Sequence, residues 1–416
     1  MLQRKLKGGA LYVAIIISIL ISIILGLFIL VAYYNSNSVL SQNSYNQLYQ
    51  SLWSGFELSQ STYYNSSSAH TWQKMPYNND SVMIKKIAWG CYTLVDVKAK
   101  NTHFNIHKTG LFGCRQSTDT ALMVAEQNRP IGLAGKIKFN GTCYLPKAGV
   151  KSAYIEGTSF SDLNAIRPYI KQAPNYIPEI DEAYLKTIEE SQSSLNPSTD
   201  SLISYIPDVL NQVFQQKTAV VQQGSVKLNN QILSNNIKII ASDVITIDKT
   251  CQLSHVLLIA RKVIFKKEFK GIVHVIAKDS IITEDDCEFN YPSSFCVYDN
   301  RQESTPQVKG IFFGLNCKFK GALLVTKSKT SSSRMMIKMN THFQLIGSAY
   351  SSDYCDAQGN LFANVFCKTL LLQTPSGVYE NHLLNAVINP KTYGQNLTVP
   401  NWFLKNKQAF SCAKWF

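Results

Sequence analysis

Glu284-Asp285-Asp286 is the densest run of carboxylates in this 416-residue chain, and paired carboxylates are the equipment of enzymes that cleave polysaccharides. Consecutive residues on a strand point to opposite faces, so three in a row do not converge on one bond; the run reads as a solvated turn. Asp353 and Asp356 flank Cys355 in a loop-like stretch that lacks both the spacing and the closing glutamate of a calcium loop. His103 and His107 have the four-residue spacing of a helical zinc pair, but Asn101-Thr102-His103-Phe104-Asn105-Ile106-His107 offers no supporting carboxylate, so exposed histidines fit better. His255 and His274 read as stacked neighbours rather than ligands. No G-x-S-x-G, P-loop or dinucleotide fingerprint occurs. The expectation is a chain with no catalytic set, no metal site and no cofactor.

Ten cysteines are scattered without the tight spacing of a disulfide scaffold, and CxxC is absent, which removes zinc ribbons and thioredoxin-like chemistry. Hydrophobic residues make up 45% of the chain and charged residues only 16%, a balance usual for extracytoplasmic β-rich proteins. The formal charge of +14 points to an acidic partner surface such as lipopolysaccharide or an acidic glycan, although a merely basic exported protein is the plainer reading. Lys266, Lys267 and Lys270, in Lys266-Lys267-Glu268-Phe269-Lys270, are the densest candidate contacts for such a ligand. No block of basic residues interleaved with aromatics marks a specific nucleic-acid site.

These residues must be positioned by a chain that begins at a membrane. Ala10 to Tyr34 is unbroken apolar sequence whose only polar members are Ser18 and Ser22. About 20 such residues in a helix cover the ~30 Å hydrocarbon core of a bilayer. The stretch exceeds an ordinary secretory signal and lacks a small residue three before the candidate cut, so it reads as a retained single-pass anchor. Arg4, Lys5 and Lys7 precede it while Asn35 to Ser61 carries no Lys or Arg, which places the N-terminus in the cytoplasm. The bulk of the chain is then periplasmic or extracellular, tethered to a cell inner membrane.

Lys5-Leu6-Lys7-Gly8-Gly9 running directly into Ala10-Leu11 resembles the leader and cleavage point of type IV pilin-like precursors. The resemblance implies processing around Gly8, Gly9 and Ala10, packing of the apolar helix into a filament core, and partners among filament or secretion-system subunits. The fifth position counted from Ala10 is Ala14, where major pilins carry glutamate; this departure is more similar to minor, tip-type pilins and pseudopilins.

Internal repetition sets the fold. Ile240-Ala241-Ser242-Asp243-Val244-Ile245, Ile259-Ala260-Arg261-Lys262-Val263-Ile264 and Ile276-Ala277-Lys278-Asp279-Ser280-Ile281 match, at offsets of 19 (259 − 240) and 17 (276 − 259). Residues 245–253 match 281–289 at 36, the sum of those offsets. Spacing this short leaves no room for crossover helices and predicts a mainly β fold, a right-handed parallel β-helix with its aliphatic residues inward and its charges toward water. Gly141, Gly271 and Gly321, each in a Phe-x-Gly context, are the expected coil corners, where glycine permits φ > 0. Cys251 and Cys287 then sit two coils apart, roughly 9.6 Å, too far for a disulfide.

The expected order is a basic head or leader (1–9), a transmembrane helix (10–34), a stalk (35–86), the β-rich start of the exported part (87–167), a partly helical insertion or cap (168–235), the β-helix (236–372) and a C-terminal cap (373–416). Arg129 to Val150 alternates like a strand pair with glycine turns, and this block between an apolar N-terminus and a solenoid resembles membrane-anchored proteins of Bacteroidota type. Asp181–Ser191 and Ser201–Gln216 read as helices. Tyr298–Gln307 and Lys327–Arg334 read as loops, and Trp402, Phe403 and Trp415 as a cover for the far end. Two functions follow: a non-enzymatic pilin-like or pseudopilin-like subunit acting in assembly or surface contact, or a tethered β-helix that binds, or less readily cleaves, acidic glycans.

Overall fold

The computed structural model describes residues 9–60, 71–117, 119–193, 200–302, 305–393, 397–403 and 410–416. It is a mainly β protein, 51% strand, with one long apolar N-terminal helix. The chain divides into two compact units, residues 1–84 with 97–107 and residues 85–96 with 108–416.

In the first unit the helix does not stop at Tyr34 but runs over Gly9–Gln60, so much of the expected stalk is helical. Its apolar part is exposed all round, and it is long and apolar enough to cross a membrane. The C-terminal part differs: Leu48, Ser51, Leu52, Gly55, Phe56 and Ser59 are buried at three- and four-residue spacing, one face of a helix. Gly55 allows close approach to the sheet, since a Cβ there would lie 2.7 Å from both Val82 and Val97. Ser51 Oγ donates to Asp80 Oδ2 at 2.6 Å and Asn78 Nδ2 donates to both, which fixes the helix lengthwise.

The second unit is a ladder of parallel rungs. Ile240 pairs with Ile259 and Ile259 with Ile276, the register the repeat implies. The strand Gln252–Phe265 bends round the core and pairs successively with Ile232–Asn235, Ile237–Ala241 and Val244–Ile247. Such pairings close into a ring of parallel strands. Inside, Phe265, Phe269, Phe289, Phe295, Phe313, Phe319 and Phe343 form a continuous column with neighbouring ring centroids 4.4–6.2 Å apart. Removing one such ring costs about 3–5 kcal/mol.

Several expectations are corrected here. Ser201–Gln216 is not helical: strands Asp200–Ile203 and Val209–Gln212 pair in parallel with Thr218–Gln223 and Ile232–Asn235 as a rung of the ladder. A helix does form at Glu182–Ser193, but it caps no end. Ile180 and Ile188 pack beside Leu257, Ile259, Ile276 and Cys296 on the ladder's side. Residues 129–150 are not a hairpin; Ile131–Ala134 pairs in parallel with Val150–Ser152, and Thr142–Leu145 with Thr120–Val124. Thr120–Val124 stacks on the late strand Gly359–Thr374 through Leu122 opposite Val365. The early strands thus continue the ladder beyond its last rung, where the C-terminal aromatics were expected. Trp402 and Phe403 instead lie against Tyr350 and Phe366 on the side, and the strand Phe410–Trp415 pairs with Gly110–Cys114.

The corners are also not where glycine alone would put them. Gly141 and Gly321 have φ of 145° and 144°, but Gly271 takes no positive φ. It serves close approach instead, a Cβ there falling 2.8 Å from the Leu253 carbonyl oxygen. Left-handed corners include Asn235, Glu268, Asp286 and Asn316; the side chains of Asn235, Glu268 and Asn316 bond to groups on adjacent rungs, and Asn and Asp tolerate φ > 0 better than branched residues.

Gly321 stacks on Ser293, and Gly347 on Gly321. A Cβ on Gly347 would strike the Gly321 carbonyl oxygen, and φ is 138°. Gly347→Ala should therefore destabilise the second unit by about 1–3 kcal/mol or more, read as a lowered Tm; an unchanged Tm would contradict this packing.

Candidate functional site

The richest cluster of charge lies where two irregular segments leave the ladder. Asp299 ends the strand Glu288–Asp299 and is wholly buried, as is the Lys309 side chain, whose Nζ lies 2.9 Å from Asp299 Oδ2. Ser331 Oγ and Ser333 Oγ each donate to the same oxygen at 2.7 Å. Arg301 reaches Asp299 Oδ1 at 3.3 Å and also pairs with Asp279. Lys327 Nζ bonds Asp353 Oδ2 at 2.7 Å, and that oxygen accepts from Met335 N. The expected loops at 298–307 and 327–334 are thus joined at their roots by one ionic network.

Burial alone would raise the Asp299 pKa, but the hydrogen bonds from Ser331, Ser333 and Lys309 outweigh it and bring it down to about 2. Such a carboxylate is a feeble base at neutral pH, and the two serines spend their protons on it. The arrangement holds chain segments together; it does not activate a hydroxyl.

A second cluster lies on the ladder's side, beneath the turn Trp89-Gly90-Cys91-Tyr92. His255 and His274 are buried with their rings 6.1 Å apart and 25° from parallel. Ser294 Oγ is 2.9 Å from His274 Nδ1 and accepts from Cys91 N, while Trp89 Nε1 donates to the His255 carbonyl at 2.8 Å. Phe416 stands edge-on to His255 at 4.9 Å. Burial, with Lys414 nearby, pushes the His255 pKa down to about 4; burial, with His255 nearby, pushes His274 well below its ordinary value. Both rings are neutral wedges between layers. The sequence shows their stacking but not the cover above them.

The remaining candidates are dispersed. Glu284 pairs with Lys266 at 2.7 Å, Asp285 Oδ1 accepts from Leu315 N, and Asp286 pairs with Lys267 at 3.6 Å. Lys266 and Lys267 are therefore engaged by carboxylates of the next rung, leaving Lys270, an exposed residue at the start of the strand Lys270–Thr283, with no ion pair among the described residues. His103 is exposed beside Phe104, and His107 is part-buried in the strand Asn105–Arg115. Among the described residues no three His, Cys, Asp or Glu side chains are grouped to hold a metal ion. Gly9 and Ala10 are exposed on the helix; Arg4, Lys5, Lys7 and Gly8 lie outside the described residues. Asp353 and Asp356, expected in a loop, lie in the strand Gln344–Asp356; Asp356 is buried with Gln358 Nε2 on one oxygen and Gln373 N on the other, and burial outweighs these bonds to raise its pKa to about 6.

Lys309→Met would remove the closer of the two cations on buried Asp299, leaving Arg301, so up to about 3–5 kcal/mol of stability should be lost, with earlier proteolysis in 328–333 during limited digestion. A variant as stable and protease-resistant as the parent would show that the network contributes nothing.

The pH dependence has a defined sign. A histidine held neutral in the fold binds its proton only in the unfolded chain between its two pKa values, so stability is complete above about 6.5 and falls toward pH 4. For His255 this amounts to about 3 kcal/mol. Asp356 acts oppositely, because a raised carboxyl pKa costs stability at neutral pH that is regained as pH falls through about 6. In His255→Asn, which tolerates the φ of 61° there, Tm should fall less between pH 7.5 and 5 than in the parent; parallel profiles would refute this assignment.

No protein family, curated protein or solved structure matches this chain.

Proposed function

We propose that the chain is a pilin-like or pseudopilin-like structural subunit, non-enzymatic, anchored N-in by a single pass in a cell inner membrane, with its β part outside and acting in assembly or surface contact. The observation that carries this reading is the two-part helix of the first unit. One stretch is apolar all round and exposed on every side among the described residues, while the stretch from Leu48 to Ser59 is fixed to a sheet by one face. A helix that is apolar on every side needs lipid or other helices as its surroundings, and its rigid continuation carries that position into the folded part. Ala10, Ala14, Ser18, Ser22 and Gly26 follow one another at four-residue spacing along one face, which suits close helix packing, and Ser22 Oγ is satisfied by the Ser18 carbonyl.

The ladder fits a right-handed parallel β-helix: the rungs are parallel and separated by short connections, and the general handedness of parallel β crossovers is right. The acidic-glycan reading draws less support, because Lys266 and Lys267 already face Glu284 and Asp286.

Mass spectrometry of the N-terminus of protein isolated from its own host tests the pilin-like reading. A mature chain starting at Gly9 or Ala10 is the expected result. An intact basic head containing Arg4, Lys5 and Lys7 would overturn it and leave a plain tether.

A further inference from the structure

The spacing argument that separates Cys251 from Cys287 brings another pair together. Cys287 follows the left-handed corner at Asp286 and Cys317 follows the one at Asn316. The residues after them are in register, Glu288 opposite Lys318 and Phe289 opposite Phe319, and Lys318 N donates to the Cys287 carbonyl at 2.9 Å. Cys287 and Cys317 therefore occupy the same inward position on adjacent rungs. Strand spacing puts their Cα atoms about 4.8 Å apart, within the roughly 4.4–6.8 Å that a disulfide requires. The Cys287 thiol donates to the Lys266 carbonyl at 3.3 Å and the Cys317 thiol to the Glu284 carbonyl at 3.2 Å, and the Cys287 side chain is close enough to act on the Cys317 sulfur. Thr283 Oγ1 lies 3.5 Å from that sulfur. These two contacts lower the Cys317 pKa, favouring the thiolate that attacks disulfides.

We propose that Cys287 and Cys317 form a disulfide site that ties the rung starting at Glu288 to the rung starting at Lys318. The oxidant is a low-molecular-weight disulfide such as glutathione disulfide. The Cys317 thiolate attacks one of its sulfurs, breaking that S–S bond, forming a mixed disulfide and releasing one glutathione thiolate. Cys287 then loses its proton and displaces the second glutathione, so the protein gives up two hydrogens and one glutathione disulfide becomes two glutathione thiols. Both cysteines are buried, but Leu315, Asn316 and Lys318 around the corner are exposed, so opening of that corner alone admits the oxidant. Cys91 also lies close to Cys296, and Cys355 to Cys367; Cys91 is buried in the Trp89–Tyr92 turn with Cys296 beneath it, and the other pair is in the closed interior, which delays both. Cys251 shares the column but is screened from Cys287 by Phe269.

The test uses the full chain in detergent, equilibrated in glutathione buffers of increasing oxidised fraction, quenched with N-ethylmaleimide, unfolded, digested and mapped by mass spectrometry. The linked peptide joining Cys287 to Cys317 should form first, with the whole chain lighter by two hydrogens, Cys251 still alkylated and Tm raised. In Cys317→Ser the linked peptide should vanish and Cys287 should be recovered alkylated. Recovery of both cysteines alkylated from the parent chain in excess glutathione disulfide, or their linkage to other cysteines first, would overturn the proposal, and this map of the parent decides even where the variant fails to fold.

Discussion

In-register parallel stacking is the constraint on which the second unit depends. Each backbone N–H and C=O of an inner rung is satisfied only by the rungs on either side, so a residue's environment is set by the residue one rung away more than by its chain neighbours. Columns of like residues follow: phenylalanines through the interior, Ser293, Gly321 and Gly347 where backbones touch, cysteines beside a corner. A side chain that grows in one column has nowhere to go, because the next rung lies about 4.8 Å away.

The same constraint explains why polar groups gather where rungs lengthen. From Phe269 to Cys287 is 18 residues (287 − 269), whereas Cys287 to Cys317 is 30 (317 − 287). The added residues must leave the ladder and return in register, and their roots expose strand ends that neighbouring rungs cannot pair. Asp299, Lys309, Arg301, Ser331 and Ser333 fill that place. A buried ion pair adds little stability compared with apolar packing, but it has one satisfying geometry, and so it specifies how the two excursions meet.

The register of residues 240–281 was readable because apolar positions recur there at 17–19 residues. The cover on the ladder's side was less legible, although a signal exists. Strand 256–260 is apolar at every position rather than at alternate ones, and 273–277 departs from this only at His274, with Val256, Leu258 and Ala260 inward and Leu257 and Ile259 beneath the Trp89–Tyr92 turn, the helix and the C-terminal aromatics. A continuous apolar run means a strand buried on both faces. The helix expected over 201–216 failed for a physical reason: Val209, Leu210 and Val213 also fit a strand, and the waiting edge at Ile232–Asn235 decides between the two. Glu268 carries no local mark of a left-handed corner, and Asp286 and Asn316 carry only the general tolerance of Asp and Asn for φ > 0. The glycines drew attention to corners when some of them serve close approach.

The stacking of Thr120–Val124 on Gly359–Thr374 could not be read from either segment, because it rests on a separation of 243 residues (365 − 122) between Leu122 and Val365. A ladder of this kind can grow rung by rung from local contacts through residues 237–356, each step closing a short loop. Its last rung then presents open backbone groups and apolar side chains with no following sequence of the same period. The early strands supply what is missing, since Thr142–Leu145 and Ile170–Gln172 extend the stack beyond them, and the segment 160–170 closes it with Phe160, Leu163, Ile166 and Tyr169 against the interior. An edge that would pair with another chain is thereby covered by the chain itself. The cost is a closure that cannot form until the late rungs exist, so this end of the ladder rests on contacts far apart in sequence.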